Sequence, residues 1–223
     1  MKKIITLVAF GVVAMNAQAQ QPIAGELGLN MANMSVKTGG TSESTNMKAG
    51  LGLGAITDVK ITDNICFQPG LFYEMTGYKE TVLGTDYSVN ISTLTIPLNF
   101  QYNFGAATEN HFFVGVGPYL GYNIGGNAKY GSNSTSLKIG SSKPDASGNG
   151  GDNIKAMDFG AGLNVGYMLA NGWYARAHYQ MGFSNLDPIG DADNSMKTSA
   201  IGITVGYYFT GHKAKKTSEK KGK

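Results

Sequence analysis

Residues 112–124 read FFVGVGPYLGYNI, and this stretch decides the fold class. Large apolar side chains alternate with smaller or polar residues, so one face of the segment carries Val114, Val116 and Leu120. The other face includes Gly115, Gly117, Gly121 and Asn123. Strict alternation with a period of two is typical of a β-strand. We therefore predict that this stretch is a strand with one apolar face.

The same alternation recurs on both sides of this stretch, along most of the chain. It predicts eight strands and no amphipathic helix. The frequent glycine and aromatic residues agree with an all-β architecture. The predicted strands cover residues 26–31, 48–55, 65–76, 94–104, 112–124, 157–167, 175–183 and 201–209.

The predicted connections alternate between short and long. The short ones include Asn171-Gly172, a strong signal for a type I′ hairpin. Such alternation is expected of an up-and-down barrel with one tight rim and one loop-rich rim, and an even number of strands places both termini at the tight, periplasmic rim. The short connections are 62–64, 105–111 and 170–172, and the long polar ones are 35–46, 79–89, 126–153 and 184–197.

Side-chain size indicates that the apolar face points outward into lipid. Gly, Asn, Gln and Thr suit the crowded interior of a small barrel, whereas large aliphatic and aromatic side chains suit hydrocarbon. The strands are long enough for a tilted crossing, which needs roughly 9–11 residues. The alternative is a soluble barrel whose apolar face lines a ligand cavity. The expected fold class is all-β: an eight-stranded antiparallel up-and-down transmembrane β-barrel.

Aromatic side chains near the predicted strand ends support the membrane interpretation. Two girdles of aromatic residues mark the two interfaces of a membrane barrel. The residues near the short-turn rim are Tyr102, Phe104, Phe112, Trp173, Tyr207 and Phe209, and those toward the long-loop rim are Tyr73, Tyr122 and Phe183.

The two ends of the chain differ from the predicted barrel at 20–210. Residues 1–19 combine Lys2 and Lys3 with an apolar run and an Ala17–Ala19 cleavage site, which predicts a signal peptide cut after Ala19 and export through the Sec route. Residues 211–223 form a Lys-rich tail that is expected to be disordered. Its six lysines, against one glutamate, make the chain net positive, at +3. A basic tail can bind acidic partners, but an exported protein is not expected to bind nucleic acid.

Four segments carry a family resemblance: TLTIPL (93–98), FVGVGPYLG (113–121), DFGAG (158–162) and GYYF (206–209). They resemble the PorT-like outer-membrane β-barrel proteins of Bacteroidetes. The resemblance spans roughly residues 24–209. It implies an eight-stranded barrel in the bacterial outer membrane, and the family's namesake is an accessory factor for protein secretion across that membrane.

Charged side chains on the predicted inner face form the candidate site. Arg176 is the single arginine of the chain, and a buried guanidinium requires a partner because an isolated buried charge is very costly. We expect it to pair with one or more acidic residues across the lumen. Such a network would either rigidify the barrel or act as the gate of a small pore. Its predicted members are Glu26, Glu74, Asp158, Arg176 and His178.

Catalytic, cofactor and metal sites are not predicted. His178 is the one histidine in a predicted strand, and the single cysteine, Cys66, excludes an internal disulfide. Glycine pairs such as Gly115 and Gly117 lie mid-strand, so they do not form a nucleotide-binding turn. The predicted function is a non-catalytic outer-membrane barrel with long exposed loops for binding. The alternatives are an accessory component of protein secretion, with envelope or secretion proteins as partners, and a narrow solute channel.

Overall fold

The chain folds into one β-sheet. The computed structural model describes residues 21–82, 84–106, 109–143, 150–190 and 193–210, so the predicted signal peptide and Lys-rich tail lie outside it. No helix in these ranges is long and apolar enough to cross a membrane. The strands within them are β1 (Ile23–Thr38), β2 (Thr41–Ser44), β3 (Asn46–Thr57), β4 (Val59–Lys60), β5 (Ile65–Val82), β6 (Thr85–Asn103), β7 (His111–Tyr130), β8 (Asn133–Ser136), β9 (Met157–Met168), β10 (Trp173–Gly182) and β11 (Ser195–Tyr208).

Eight of the described strands close into a ring. The order is β1-β3-β5-β6-β7-β9-β10-β11, and β11 pairs back to β1 in antiparallel register from Ala24↔Tyr208 to Lys37↔Ser195. The short strands β2, β4 and β8 each pair at the side of one ring strand. Closure removes the sheet edges, so backbone N–H and C=O groups find partners without water. The predicted eight-stranded antiparallel up-and-down barrel is confirmed.

The apolar face of the ring points outward. Along β7, from His111 to Ile124, every second residue is buried and every other one is exposed. Leu29 on β1 and Ile203 on β11 are 64% and 65% exposed, while polar side chains such as Gln68 are fully buried. A soluble barrel would show the reverse, because water would surround its outer face. The predicted orientation of the two faces is therefore confirmed.

Aromatic pairs surround the short-turn end of the outer face. The ring centroids of Phe112 and Tyr167 are 4.7 Å apart, and those of Trp173 and Tyr207 are 5.0 Å apart. Their amphipathic rings suit the headgroup level of a bilayer. This arrangement agrees with the girdle expected at the short-turn rim.

The strands extend further than the alternation predicted. Residues 35–46 and 79–89 were expected to be loops, but both are hairpins that prolong the sheet beyond the apolar belt. Gly39, Gly40 and Gly84 have φ values of 56°, 87° and 76°, a left-handed conformation that makes the turns tight. Because these hairpins lie beyond the lipid, their outer face does not have to be apolar. Their sequences therefore lack the regular alternation of apolar and polar residues that predicted the other strand segments.

An apolar core lies at the long-loop end of the interior. We call it the mouth cluster. Its buried members include Ile154, directly after the predicted connection 126–153, and Leu186, within the predicted connection 184–197. Backbone hydrogen bonds hold these segments in place, from Leu186 N to Met196 O (2.8 Å) and from Lys155 N to Leu186 O (2.8 Å). The described parts of the third and fourth long connections therefore pack onto the barrel. The buried members are Met34, Val89, Ile91, Ile154 and Leu186.

Replacing Leu186 with Ala should loosen the mouth cluster, because Leu186 is 1% exposed. Loss of a buried leucine side chain typically costs about 2–5 kcal/mol. We expect faster limited proteolysis between residues 137 and 156 in detergent. Ile189→Ala, at a position 53% exposed in the same connection, is the matched control. Equal proteolysis rates for the two variants would show that the mouth cluster does not hold this segment.

Candidate functional site

The polar interior of the barrel is the candidate site. It is built around Arg176 of β10 and Glu26 of β1, which are 7% and 3% exposed. Both side chains point inward because they occupy the buried positions of their alternating strands. The ring places β11 between them, so the contact forms across one intervening strand.

Arg176 has three different neighbours in the interior. Its Nη2 donates to Glu26 Oε2 at 2.5 Å, and its Nη1 donates to Gln68 Oε1 at 3.1 Å. The guanidinium carbon also lies 5.9 Å from the centre of the Phe72 ring, within cation–π range. This ion pair is buried, whereas the pair of Lys60 with Asp63 is at the surface. The guanidinium group is thus held by the Glu26 carboxylate, the Gln68 side-chain amide and the Phe72 ring.

Tyr174 provides the second hydrogen-bond donor to the Glu26 carboxylate. Its hydroxyl donates to Glu26 Oε1 at 2.5 Å, so both carboxylate oxygens have a donor. Gly206 stands between the two residues in the same row of the sheet. A Cβ at Gly206 would overlap the Tyr174 ring, so the glycine leaves the space through which the tyrosine reaches the carboxylate.

Four side chains that the alternation pattern did not single out extend the network toward the short-turn rim. Asp58 accepts hydrogen bonds from Tyr208 Oη (2.7 Å) and from Gln68 Nε2 (2.8 Å). Gln68 Nε2 also lies 3.2 Å from Gln101 Oε1. Asp58 lies between β3 and β4, outside the period-two pattern, which is why sequence reasoning missed it. The three partners are uncharged and were counted only as lumen-facing residues.

Glu74 and Asp158 have partners other than Arg176. Asp158 Oδ2 accepts from Thr198 Oγ1 (2.9 Å) and Tyr119 Oη (3.3 Å), and Glu74 accepts from Thr95. Of the acidic side chains in the described residues, Glu26 alone forms a salt bridge with Arg176. The predicted network consists of an ion pair and two separately hydrogen-bonded carboxyl groups.

His178 lines a small internal cavity of about 40 Å³. Its Nδ1 lies 3.4 Å from Thr204 Oγ1, and its Nε2 has no protein partner within the described residues. Arg176 Nε and Asn164 Oδ1 are likewise unpaired and belong to residues lining the same cavity. A second cavity of about 30 Å³ adjoins Glu74, Tyr119 and Asp158. Polar cavities of this size have room for a few water molecules.

The arrangement suits a structural role for the interior. In the described part of the chain, no three His, Cys, Asp or Glu side chains are grouped closely enough to hold a metal ion. Apolar clusters lie at both ends of the polar layer, with the mouth cluster at one end and Phe113, Met168 and Tyr174 in the cluster at the other. The polar groups are thus enclosed between two apolar layers.

Replacing Arg176 with Met should destabilise the barrel strongly, because Glu26 would keep a buried charge without its cationic partner. Removal of one member of a buried ion pair typically costs about 3–5 kcal/mol. The measurement is the temperature at which the folded band disappears on a semi-native gel in detergent. The double variant Glu26→Gln/Arg176→Met is the control and should recover much of the loss. An unchanged unfolding temperature in the single variant would contradict the role of the pair.

Comparisons with known proteins agree with this architecture. The family model described as an outer membrane protein beta-barrel domain matches residues 16–187. A search of curated proteins finds no match.

Three solved structures illustrate the similarity. OprG of Pseudomonas aeruginosa is 13% identical, with 87% of this chain and 97% of that chain covered and a TM-score of 0.46. Neisserial surface protein A is 12% identical, with 83% and 99% covered and a TM-score of 0.44. The attachment invasion locus protein Ail of Yersinia pestis is 13% identical, with 84% and 99% covered and a TM-score of 0.42. On the match of the family model to most of its length, the chain belongs to the family of outer-membrane proteins with a β-barrel domain.

Proposed function

We propose that this protein is a non-catalytic outer-membrane barrel that binds a ligand or protein partner through its long-loop rim. The observation that carries the proposal is the filled interior. The Arg176–Glu26 pair lies inside the barrel, toward the short-turn end, and the mouth cluster lies at the long-loop end. The cavities between them are only about 40 and 30 Å³. A solute channel would need a continuous aqueous path, so the exposed rim is the better candidate for an interaction.

The rim offers a rigid binding surface. Three hairpins project from the barrel, at β1–β2, β5–β6 and β7–β8. All residues of β2 and β8 are exposed, and their side chains are mainly serine, threonine and asparagine. Hairpins fixed to a closed barrel lose little entropy on binding, which favours affinity. These polar tips support a role in contacts with a carbohydrate or protein surface.

The proposed orientation places the short turns and both termini in the periplasm. The chain ends of the barrel meet at the short-turn rim, where Phe209 N donates to Ile23 O at 2.8 Å. In membrane barrels the short turns face the periplasm. Export would follow cleavage of the signal peptide at 1–19, and the Lys-rich tail at 211–223 would then be available to periplasmic partners.

The resemblance to PorT-like proteins supports a related proposal about partners. If the chain is a PorT-like member of the family, its tail or rim would contact envelope or secretion proteins. The basic charge of the tail favours an acidic protein surface. This proposal places a second interaction at the periplasmic rim, separate from the one at the long-loop rim.

Cysteine labelling in intact cells tests the orientation. A Ser42→Cys variant, in β2 near the turn of the β1–β2 hairpin, is exposed. It should react with a membrane-impermeant maleimide because the proposed orientation puts this hairpin outside the cell. Glu109→Cys, exposed in the short turn between β6 and β7, should react only after the outer membrane is permeabilised. The native Cys66 is buried and provides the background control. Labelling of Glu109→Cys but not Ser42→Cys in intact cells would reverse the proposed orientation.

A further inference from the structure

A cavity of about 310 Å³ lies at the long-loop end of the barrel, and we call it the rim cavity. Its volume is in the range of ligand pockets, which is roughly 300–1,000 Å³. It is several times larger than either cavity of the polar interior, so it has room for more than water. The residues that line it include Val36, Thr41, Glu43, Tyr78, Glu80 and Met196.

The rim cavity exists because two hairpins diverge. The pairing of β3 with β5 ends at Asn46↔Lys79, whereas the β1–β2 and β5–β6 hairpins both continue beyond that row. Beyond it, each hairpin is held by its own ladder of hydrogen bonds, so β2 and β5 separate. The bend between β2 and β3 is also fixed, because Thr45 Oγ1 accepts a hydrogen bond from Met34 N at 2.9 Å. The gap between the hairpins is therefore part of the fold.

The floor of the rim cavity is apolar. Val36, Tyr78 and Met196 line the cavity and pack against the mouth cluster. Val36 pairs with Met196 of β11 and with Glu43 of β2, so these three residues lie in one row of the sheet and share a face. On β5, Tyr78 and Glu80 are two residues apart and also share a face. The rim cavity therefore lies directly above the mouth cluster, between the two diverging hairpins.

Two carboxylates line the rim cavity from different hairpins. Glu43 belongs to β2 and Glu80 to β5, and the described lining residues include no lysine, arginine or histidine. Neither acid forms a salt bridge within the described residues. The adjacent Lys79 of β5 points to the opposite face of the sheet. Two like charges directed into one cavity repel each other, and a cation bound between them would relieve that repulsion.

We infer that the rim cavity binds a small organic cation, an amine whose positive group lies between Glu43 and Glu80 and whose apolar body contacts the floor. An apolar lining with a few polar groups is typical of small-molecule sites, and the Tyr78 ring can also attract a cation. A metal ion fits less well, because it needs several oxygen ligands and the described residues hold no third acidic, histidine or cysteine side chain close to these two. This inference rests on the proposed function and names a ligand class for the long-loop rim.

Isothermal titration calorimetry of the full mature chain, folded in a non-ionic detergent, tests the inference. The probes are phenethylamine, its neutral analogue 2-phenylethanol, and calcium chloride, each corrected by a titration into detergent alone. The double variant Glu43→Gln/Glu80→Gln removes both charges and keeps the size of the side chains. The matched control Asp63→Asn/Glu109→Gln removes two exposed carboxylates at the short-turn rim. A gel shift on boiling confirms that each variant is folded.

We expect the wild type and the control to bind phenethylamine with equal affinity and to bind 2-phenylethanol far more weakly. The double variant should bind phenethylamine about a hundredfold more weakly, because each charge-assisted contact contributes roughly tenfold. Equal affinity of the folded double variant and the wild type would overturn the inference. So would equal affinity for 2-phenylethanol, calcium binding as tight as that of the amine, or no saturable binding of the amine by the wild type.

These outcomes are distinguishable from a failure of the proposed function. Binding to the purified protein in detergent does not depend on its orientation in the membrane, which the cysteine labelling in intact cells tests separately. The exposed side chains of the β1–β2 and β7–β8 hairpins also remain available for a protein or carbohydrate partner. A negative titration would therefore exclude the rim cavity as the ligand site and leave the rest of the long-loop rim as the proposed binding surface.

Discussion

The closure of the ring between β1 and β11 is the constraint on which the rest of the structure depends. Lipid offers no hydrogen-bonding partner to the backbone, so a sheet in a membrane must have no free edge. The pairing of β1 with β11 runs from Ala24↔Tyr208 to Lys37↔Ser195 and joins the two ends of the barrel sequence. Once the ring is closed, its outer face contacts hydrocarbon and its inner face lines a narrow interior. Along each strand, apolar residues that point outward therefore alternate with small or polar residues that point inward.

The interior then has to satisfy the polar side chains that it encloses. Arg176 is tolerated there because Glu26, Gln68 and Phe72 surround it. A buried ion pair contributes little net stability, since desolvation offsets its attraction, but the loss of one member is expensive. The pair therefore fixes the arrangement of the interior more than it adds to the free energy of unfolding. With apolar clusters at both ends of this polar layer, the accessible chemistry of the protein lies on its rims and outer surface.

The sequence predicted the strand segments that face lipid. It did not predict the hairpins and irregular segments that lie beyond the lipid-facing belt. Alternation at 112–124 is visible because hydrocarbon demands an apolar residue at every second position. The hairpins around Gly39 and Gly84 lie beyond that demand, so they resembled loops. Leu186 and Ile154 were invisible as core residues because they stand in irregular segments without any period. The inward position of Arg176 followed from alternation. Its pairing with Glu26 rather than with Glu74 or Asp158 depends on the register across β11, which alternation does not reveal.

The most direct test of the closed barrel is the gel mobility of the mature protein from an isolated outer-membrane fraction, compared with and without boiling. A closed ring resists detergent until it is heated, so the account predicts that the unboiled protein migrates as a separate, compact band that shifts on boiling. The same mobility before and after boiling, with the protein recovered in the soluble periplasmic fraction, would contradict it. The outward apolar face described here would then have to be covered by something other than lipid.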